Sequence, residues 1–222
     1  MNKFKPSISE ENGLKELRST YESILSIGIS TGGSAEIQMV KRHPDRHVIA
    51  TTLDQNGLNQ TQAIIQENKL QHQITCKLED VSKPLPYPNT SFDFIYARLV
   101  LHYLDNQALK NTLAELYRIL KPNGRFFIVV RSVKDWEIAL PTTTYCEETG
   151  ITTYPDYRTI DSPTPRYIKR RFHSPQSITH FLNSANFTID RITEYNEQLY
   201  HDYMRKERVR KQGSLIEVLC HK

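Results

Sequence analysis

Apolar positions along this chain fall into short blocks separated by longer amphipathic stretches. Residues 23–27 form a block suited to a buried strand, and it ends in the turn Gly28-Ile29-Ser30-Thr31-Gly32-Gly33. Residues 34–40 have helical composition. Residues 47–53 read as a second strand ending at Asp54, and a helix is predicted from about residue 58 to 68. Ile74, Cys76 and Leu78 alternate with polar neighbours, which predicts a third strand. Pro84, Pro86 and Pro88 impose an extended loop, after which Phe92, Phe94 and Tyr96 alternate as a fourth strand. Leu109, Leu113, Leu116 and Leu120 recur at helical spacing, predicting an amphipathic helix over 106–120. Lys121-Pro122-Asn123-Gly124 stops it, with Gly124 suited to a left-handed turn. Residues 126–130 are apolar without alternation, as a strand buried on both faces requires.

The flanks are less regular. Residues 1–10 read as a loose lead-in and 11–22 as a short helix carrying Leu14 and Leu17 on one face. Residues 132–172 hold four prolines and little helical periodicity. Helical spacing returns over 175–185 through Ile178, Phe181 and Leu182. Residues 187–195 and 214–221 read as two final strands, and the charged stretch 201–213 between them as exposed. Strand and helix alternate through residue 131, so an α/β fold with a doubly wound sheet is expected.

Composition changes this picture little. At 222 residues the chain suits one core rather than two domains, and its apolar blocks exclude disorder throughout. A net charge of +4 is too mild to imply nucleic acid by itself. Cys76, Cys146 and Cys220 are scattered, with no CxxC pair, so neither a zinc site nor a disulfide framework is expected. No metal site is expected. No stretch approaches membrane-spanning length, and a cytoplasmic protein without membrane partners is expected. The twelve tyrosines are unevenly spread, with seven of them beyond residue 131.

The glycine turn carries the first candidate chemistry. Such a turn, at the carboxyl end of a first parallel strand, lets a nucleotide-like ligand approach the backbone. In the frame G-x-G-x-x-G, Ser30 replaces the middle glycine, the one that meets a pyrophosphate. A nicotinamide-dependent oxidoreductase is disfavoured for that reason, whereas a ligand with ribose and base alone tolerates Ser30. Asp54 lies 21 residues beyond Gly33 and is placed to accept hydrogen bonds from ribose hydroxyls. On these residues alone, a plain structural turn is as good a reading as a ligand site.

An ordered set of segments decides between them. Glu79-Asp80 follows the third strand. Leu85-Pro86-Tyr87-Pro88-Asn89-Thr90-Ser91-Phe92-Asp93 comes next, then Leu99-Val100-Leu101-His102-Tyr103-Leu104, then Arg118-Ile119-Leu120-Lys121-Pro122-Asn123-Gly124. This succession resembles the class I S-adenosylmethionine-dependent methyltransferases, in particular their large small-molecule group. The resemblance covers residues 20–131 well and 173–222 in outline. It implies a Rossmann-like sheet, mostly parallel, with an antiparallel C-terminal strand pair and helices on both faces. It also implies a single domain over 1–222. Within it, 11–131 form the cofactor-binding core, 132–172 a variable substrate-covering insertion, and 173–222 a C-terminal helix and strand pair.

The resemblance further implies S-adenosylmethionine as cofactor and S-adenosylhomocysteine as product. Gly28, Ile29, Ser30 and Gly32 would face the methionine moiety, although Ile29 and Ser30 depart from the common G-C-G-T-G. Asp54 would hold the ribose, with Leu53 and Gln55 beside it. Asp80, or Glu79 in competition, would meet the adenine amino group near Val81. Ala97 and Arg98 end the fourth strand in the site. His102 is the candidate general base and Arg98 a candidate partner for an acidic substrate; salt bridges from Arg98 to Asp93 or Asp105 and a structural His102 are the alternatives. An N-P-P-Y motif is missing where Tyr96-Ala97-Arg98-Leu99 stands, which counts against methylation of a nucleic-acid amino group.

Trp136, Tyr145, Tyr154, Tyr157 and Tyr167 are candidate substrate-enclosing aromatics, or else seal the insertion onto the domain. Two basic clusters, one at Arg166, Lys169, Arg170 and Arg171 and one at Arg205, Lys206, Arg208, Arg210 and Lys211, read as solvated surface. Their other reading is an anionic or RNA partner. The expected activity is methyl transfer to a small molecule or short peptide by in-line displacement, with a monomer or homodimer as the working unit. An RNA methyltransferase and a non-catalytic cofactor-binding protein are the rivals.

Overall fold

The computed structural model describes residues 6–29, 31–200 and 207–222. A seven-stranded sheet forms its centre. The strands are β1 (Ser23–Ile27), β2 (His47–Thr52), β3 (Ile74–Leu78), β4 (Phe92–Arg98), β5 (Leu120–Arg131), β9 (Thr188–Glu197) and β10 (Gly213–His221). Their order is β3-β2-β1-β4-β5-β10-β9. The first five are parallel, and β10 pairs antiparallel with both β5 and β9. This is the doubly wound, mostly parallel sheet with an antiparallel C-terminal pair that the sequence predicts.

Both faces are covered because the central strands are apolar at successive positions. Leu25, Ile27, Ile95, Ile128 and Val130 face helices α4 (Asn106–Ile119) and α5 (Pro175–Ser184). Ile24, Phe94, Tyr96, Phe127 and Val129 form the opposite core with α1 (Ile8–Lys15), α2 (Ser34–Lys41) and α3 (Gln55–Glu67). Tyr96 stacks on Phe127 with ring centroids 5.6 Å apart. Its hydroxyl is buried and makes no hydrogen bond. Tyr96→Phe therefore removes an unsatisfied group and keeps the stack. It is expected to raise stability by about 1 kcal/mol in urea denaturation. A loss of stability on that substitution overturns this account of the hydroxyl.

Several boundaries differ from the sequence reading. α1 starts at Ile8, inside the expected lead-in, and ends at Lys15 rather than running to residue 22. Glu10 and Glu11 sit in its first turn and Lys15 in its last, complementing the helix dipole. A Cβ on Gly13 would lie 2.5 Å from the Tyr96 ring, so a glycine there lets α1 approach the sheet. α3 begins at Gln55, three residues early, because Asp54 is its N-cap and accepts from the Asn56 N–H. The stop after α4 lies within β5, where pairing with β4 jumps from Phe92–Leu120 to Phe94–Arg125. Asn123, not Gly124, takes the left-handed conformation there, at φ 63°.

The insertion is not irregular. β6 (Thr144–Cys146), β7 (Ile151–Pro155) and β8 (Tyr167–Arg170) make a separate antiparallel sheet of three strands. Of the stretch expected to be exposed over 201–213, residues 201–206 lie outside the described residues, and Val209 and Gly213 are buried. No helix among the described residues is long and apolar enough to cross a membrane.

Candidate functional site

Sheet order reverses between β1 and β4, and a cleft opens at their carboxyl ends, where ligands bind in such folds. It encloses about 510 Å³. Gly28 lines it with φ 76°, a left-handed conformation that favours glycine, and a Cβ there would meet Val100 at 3.0 Å. The Gly28 and Ile29 N–H groups both donate to the Thr51 carbonyl, at 2.8 and 2.9 Å, tying the turn to β2. Leu53, Asp54, Glu79, Asp80, Val81 and Arg98 also line the cleft.

Three carboxylates thus converge on one wall, each in a different setting. Asp54 projects from the end of β2 and caps α3. Asp80 Oδ1 accepts from the Ser82 N–H and hydroxyl, and the hydroxyl bond holds its carboxyl below the usual range. The Glu79 carboxylate accepts from the Tyr87 hydroxyl at 2.9 and 3.1 Å. Leu53 is 69% exposed beside them, an apolar surface left open at a polar wall. Gly32, Gln55 and Ala97 lie off this lining: Gly32 turns the chain at φ 58°, the Gln55 amide donates to Asn59, and Ala97 is in the core. Ser30 lies outside the described residues.

A second cavity of about 340 Å³ adjoins the cleft, and Arg98, Leu99, Tyr103 and Tyr200 line both. Leu99 between them has φ 56°, an uncommon backbone state for leucine. His102 lines the second cavity at 2% exposure, and neither ring nitrogen has a hydrogen-bond partner. Burial, then the nearby Arg170, Arg131 and His173, pushes its pKa well below 6.5, so the ring is neutral.

Arg98 also lines this cavity, but its salt bridge is neither of those expected. Its Nη2 donates to Glu197 Oε1 at 2.6 Å and its Nε to the Ser9 hydroxyl at 2.6 Å. Asp93 instead pairs with Lys121, and Asp105 caps α4.

The five aromatics of the insertion are not among the residues lining either cavity. Trp136 packs on Tyr157 at 5.4 Å, Tyr145 and Tyr167 are exposed, and Tyr154 is buried with its hydroxyl accepting from Arg170. The insertion lines the second cavity with Glu137, Arg158, Ile168 and Arg170 instead. Arg170 and Arg171 are therefore not solvated surface. Arg171 is 4% exposed and donates to the carbonyls of Leu104 and Thr149. The one signal in the sequence is that Arg170 stands two residues from Ile168, the spacing that puts both on one face of a strand.

Sheet order, switch-point cleft and helix layers are those of the class I methyltransferase fold. The donor set fits its cofactor: carboxylates for ribose hydroxyls and an adenine amino group, apolar Leu53 and Val81 for the base, and a glycine turn at the strand end. The comparisons agree. Residues 25–128 match the family described as Methyltransferase domain. A demethylmenaquinone methyltransferase of Symbiobacterium thermophilum is 26% identical over 111 residues, covering 50% of this chain and 43% of that protein. An uncharacterized protein of Haemophilus influenzae is 38% identical over 78 residues, covering 35% of this chain and 31% of that one. The matched stretches thus span less than half of either curated relative. A crystal structure of an S-adenosylmethionine-dependent methyltransferase from Methanosarcina mazei superimposes with a TM-score of 0.70, at 17% identity, over 94% of this chain and 95% of that one. Residues 25–128 thus match a methyltransferase domain, and nearly the whole chain has the fold of a class I S-adenosylmethionine-dependent methyltransferase structure, with a cleft that fits S-adenosylmethionine. Among the described residues no cluster of metal-ligating side chains occurs.

Proposed function

We propose that this chain transfers a methyl group to a small molecule seated in the second cavity. The observation that carries this reading is the continuity of the two cavities through Arg98, Leu99, Tyr103 and Tyr200. A volume of about 340 Å³ lies within the range of small-ligand sites. It favours a single-ring acceptor over a nucleotide in RNA, and the whole chain acts as one domain with 132–172 covering the acceptor.

S-adenosylmethionine, when bound, supplies an activated methyl group with a good leaving group. The protein's task is then to hold and orient the acceptor, which supplies much of the rate enhancement in such reactions. Gly28, Ile29 and Gly32 face the methionine end, and Ser30 is assigned there from its place in the sequence. Asp54 takes the ribose, flanked by Leu53 and Gln55. Asp80 and Glu79 take the adenine edge, next to Val81 and Ala97. His102 is the base where the acceptor must lose a proton: its ring is neutral, so one nitrogen keeps its lone pair, and neither nitrogen has a hydrogen-bond partner. Arg98 fixes the wall between the two cavities. Tyr154 acts on the acceptor side through Arg170, while Trp136, Tyr145, Tyr157 and Tyr167 hold the insertion in place.

Titration calorimetry with S-adenosylhomocysteine tests the cofactor half of this reading. Asp54→Ser keeps a side-chain oxygen for the α3 cap and removes the carboxylate. It is expected to weaken binding by about 2 kcal/mol, roughly 30-fold, while the melting temperature moves little. Unchanged affinity removes Asp54 from the site. Incubating wild type with methyl-labelled S-adenosylmethionine and a small-molecule extract tests the other half. Label recovered only in RNA overturns it.

A further inference from the structure

We infer that the acceptor carries a single carboxylate and that Arg170 is the residue that selects it; this rests on the second cavity being the acceptor site. Four guanidiniums, those of Arg98, Arg131, Arg158 and Arg170, line that cavity, against the single carboxylate of Glu137 on its described wall. The acids that balance the others are not on the lining. Glu197 is held by the Ser9 N–H, and Asp135 by the N–H groups of Ser214 and Glu137. Asp156 holds Arg158.

Arg170 is bonded differently from the other three. Its Nη1 donates to the Tyr154 hydroxyl at 2.9 Å and its Nη2 to the Tyr103 hydroxyl at 3.3 Å, both neutral acceptors. Its nearest carboxylate, Glu137, is 3.8 Å away and is hydrogen-bonded by Arg131 instead. Arg170 Nε and Arg131 Nε are buried donors that make no hydrogen bond, and the two ring nitrogens of His102 are likewise unmatched. An unmet buried donor is costly in a folded protein, the more so on a charged group. One oxyanion seated against Arg170 can take at most one further N–H from the neutral His102 ring, and a planar carboxylate matches the fork of a guanidinium. A phosphate dianion would bring a second negative charge against Glu137. The Tyr103 ring, with the Arg170 guanidinium 5.4 Å from its centre, gives the acceptor's apolar part a flat wall next to the cleft.

The test uses matched probes that need no turnover. Benzoate and 4-hydroxybenzoate are titrated against benzamide and 4-hydroxybenzamide by ligand-observed NMR, with and without S-adenosylhomocysteine. The acids are expected to bind at least tenfold more tightly than the amides. Arg170→Gln is expected to erase that preference, Arg170→Lys to restore part of it, and S-adenosylhomocysteine affinity to stay within twofold in both. No preference for acid over amide in wild type overturns the inference, whether both classes bind or neither does. Phenyl phosphate binding as tightly as benzoate overturns the choice of a monoanion. Because the acid–amide comparison is also made without cofactor, its failure is separable from a failure of S-adenosylhomocysteine to bind.

Discussion

Lowering the pH from 7.5 to 5.5 is expected to cost this fold at least about 1.4 kcal/mol, because two histidines are buried in the neutral form. His173 is fully buried, and burial together with Arg171 lowers its pKa to about 3. His102 is lowered well below 6.5 by burial and by Arg170, Arg131 and His173. In the unfolded chain both take up a proton as the pH drops through about 6.5. The folded chain does not, so the unfolded state binds more protons and stability falls with pH. At pH 5.5 His173 accounts for about 1.4 kcal/mol of the loss, which continues down to about pH 3, and His102 adds to it in the same sense. Asp135, raised by burial, acts in the opposite sense, so a comparison of variants is needed to isolate the histidines. Urea denaturation of wild type and His173→Asn at the two pH values makes that comparison. The variant should lose about 1.4 kcal/mol less than wild type on acidification. Equal losses would mean that His173 is not the source.

Glu197→Leu is expected to destabilise the protein by about 3–5 kcal/mol, the range for breaking one side of a buried ion pair. Its side chain is 3% exposed and that of Arg98 is 14% exposed. Besides Arg98, Glu197 accepts from the Ser9 N–H at 2.6 Å and the Ser9 hydroxyl at 3.0 Å. Removing it strands a charge at the cavity wall and unties α1 from the sheet. The double variant Arg98→Met/Glu197→Leu leaves no stranded charge and should recover a large part of the loss. A double-mutant cycle read by denaturant unfolding measures this coupling. Single-variant losses below 1 kcal/mol would show that α1 is held by Leu14 and its apolar neighbours instead.

Much of the molecule was legible in its sequence for local reasons. Buried parallel strands need unbroken apolar runs, so residues 23–27 and 126–130 announce themselves, and a leucine stripe marks α4. The acidic wall of the switch-point cleft was also legible as a place on the strand ends, since Asp54 and Glu79-Asp80 follow directly on β2 and β3. What could not be read depends on long-range pairing. Arg98 and Glu197 are 99 positions apart, and no spacing rule links them. Arg170 sits in a run of basic residues, and only the pairing of β8 with β7, which sets it against the Tyr154 and Tyr103 hydroxyls, half-buries it. The three short strands of the insertion are rich in threonine and tyrosine and lack a clean alternation, so they hide among the prolines. At residues 121–124 two residues could take the left-handed position, and the bulge against β4 selects Asn123 over Gly124.

The position of β10 bears on how the chain is made. Of these seven strands it is the last to be synthesised, yet it lies inside the sheet, between β5 and β9. Until it arrives, β5 keeps an open edge and β9 has no strand to pair with. Glu197, at the end of β9, also has nothing to hold it against Ser9 and Arg98. The second cavity, which draws on residues from Ser7 to Val209, is therefore completed late, after the glycine turn and the carboxylates of the switch-point cleft are in place. A nascent chain stalled before β10 would carry a nearly finished switch-point cleft and an unfinished second cavity.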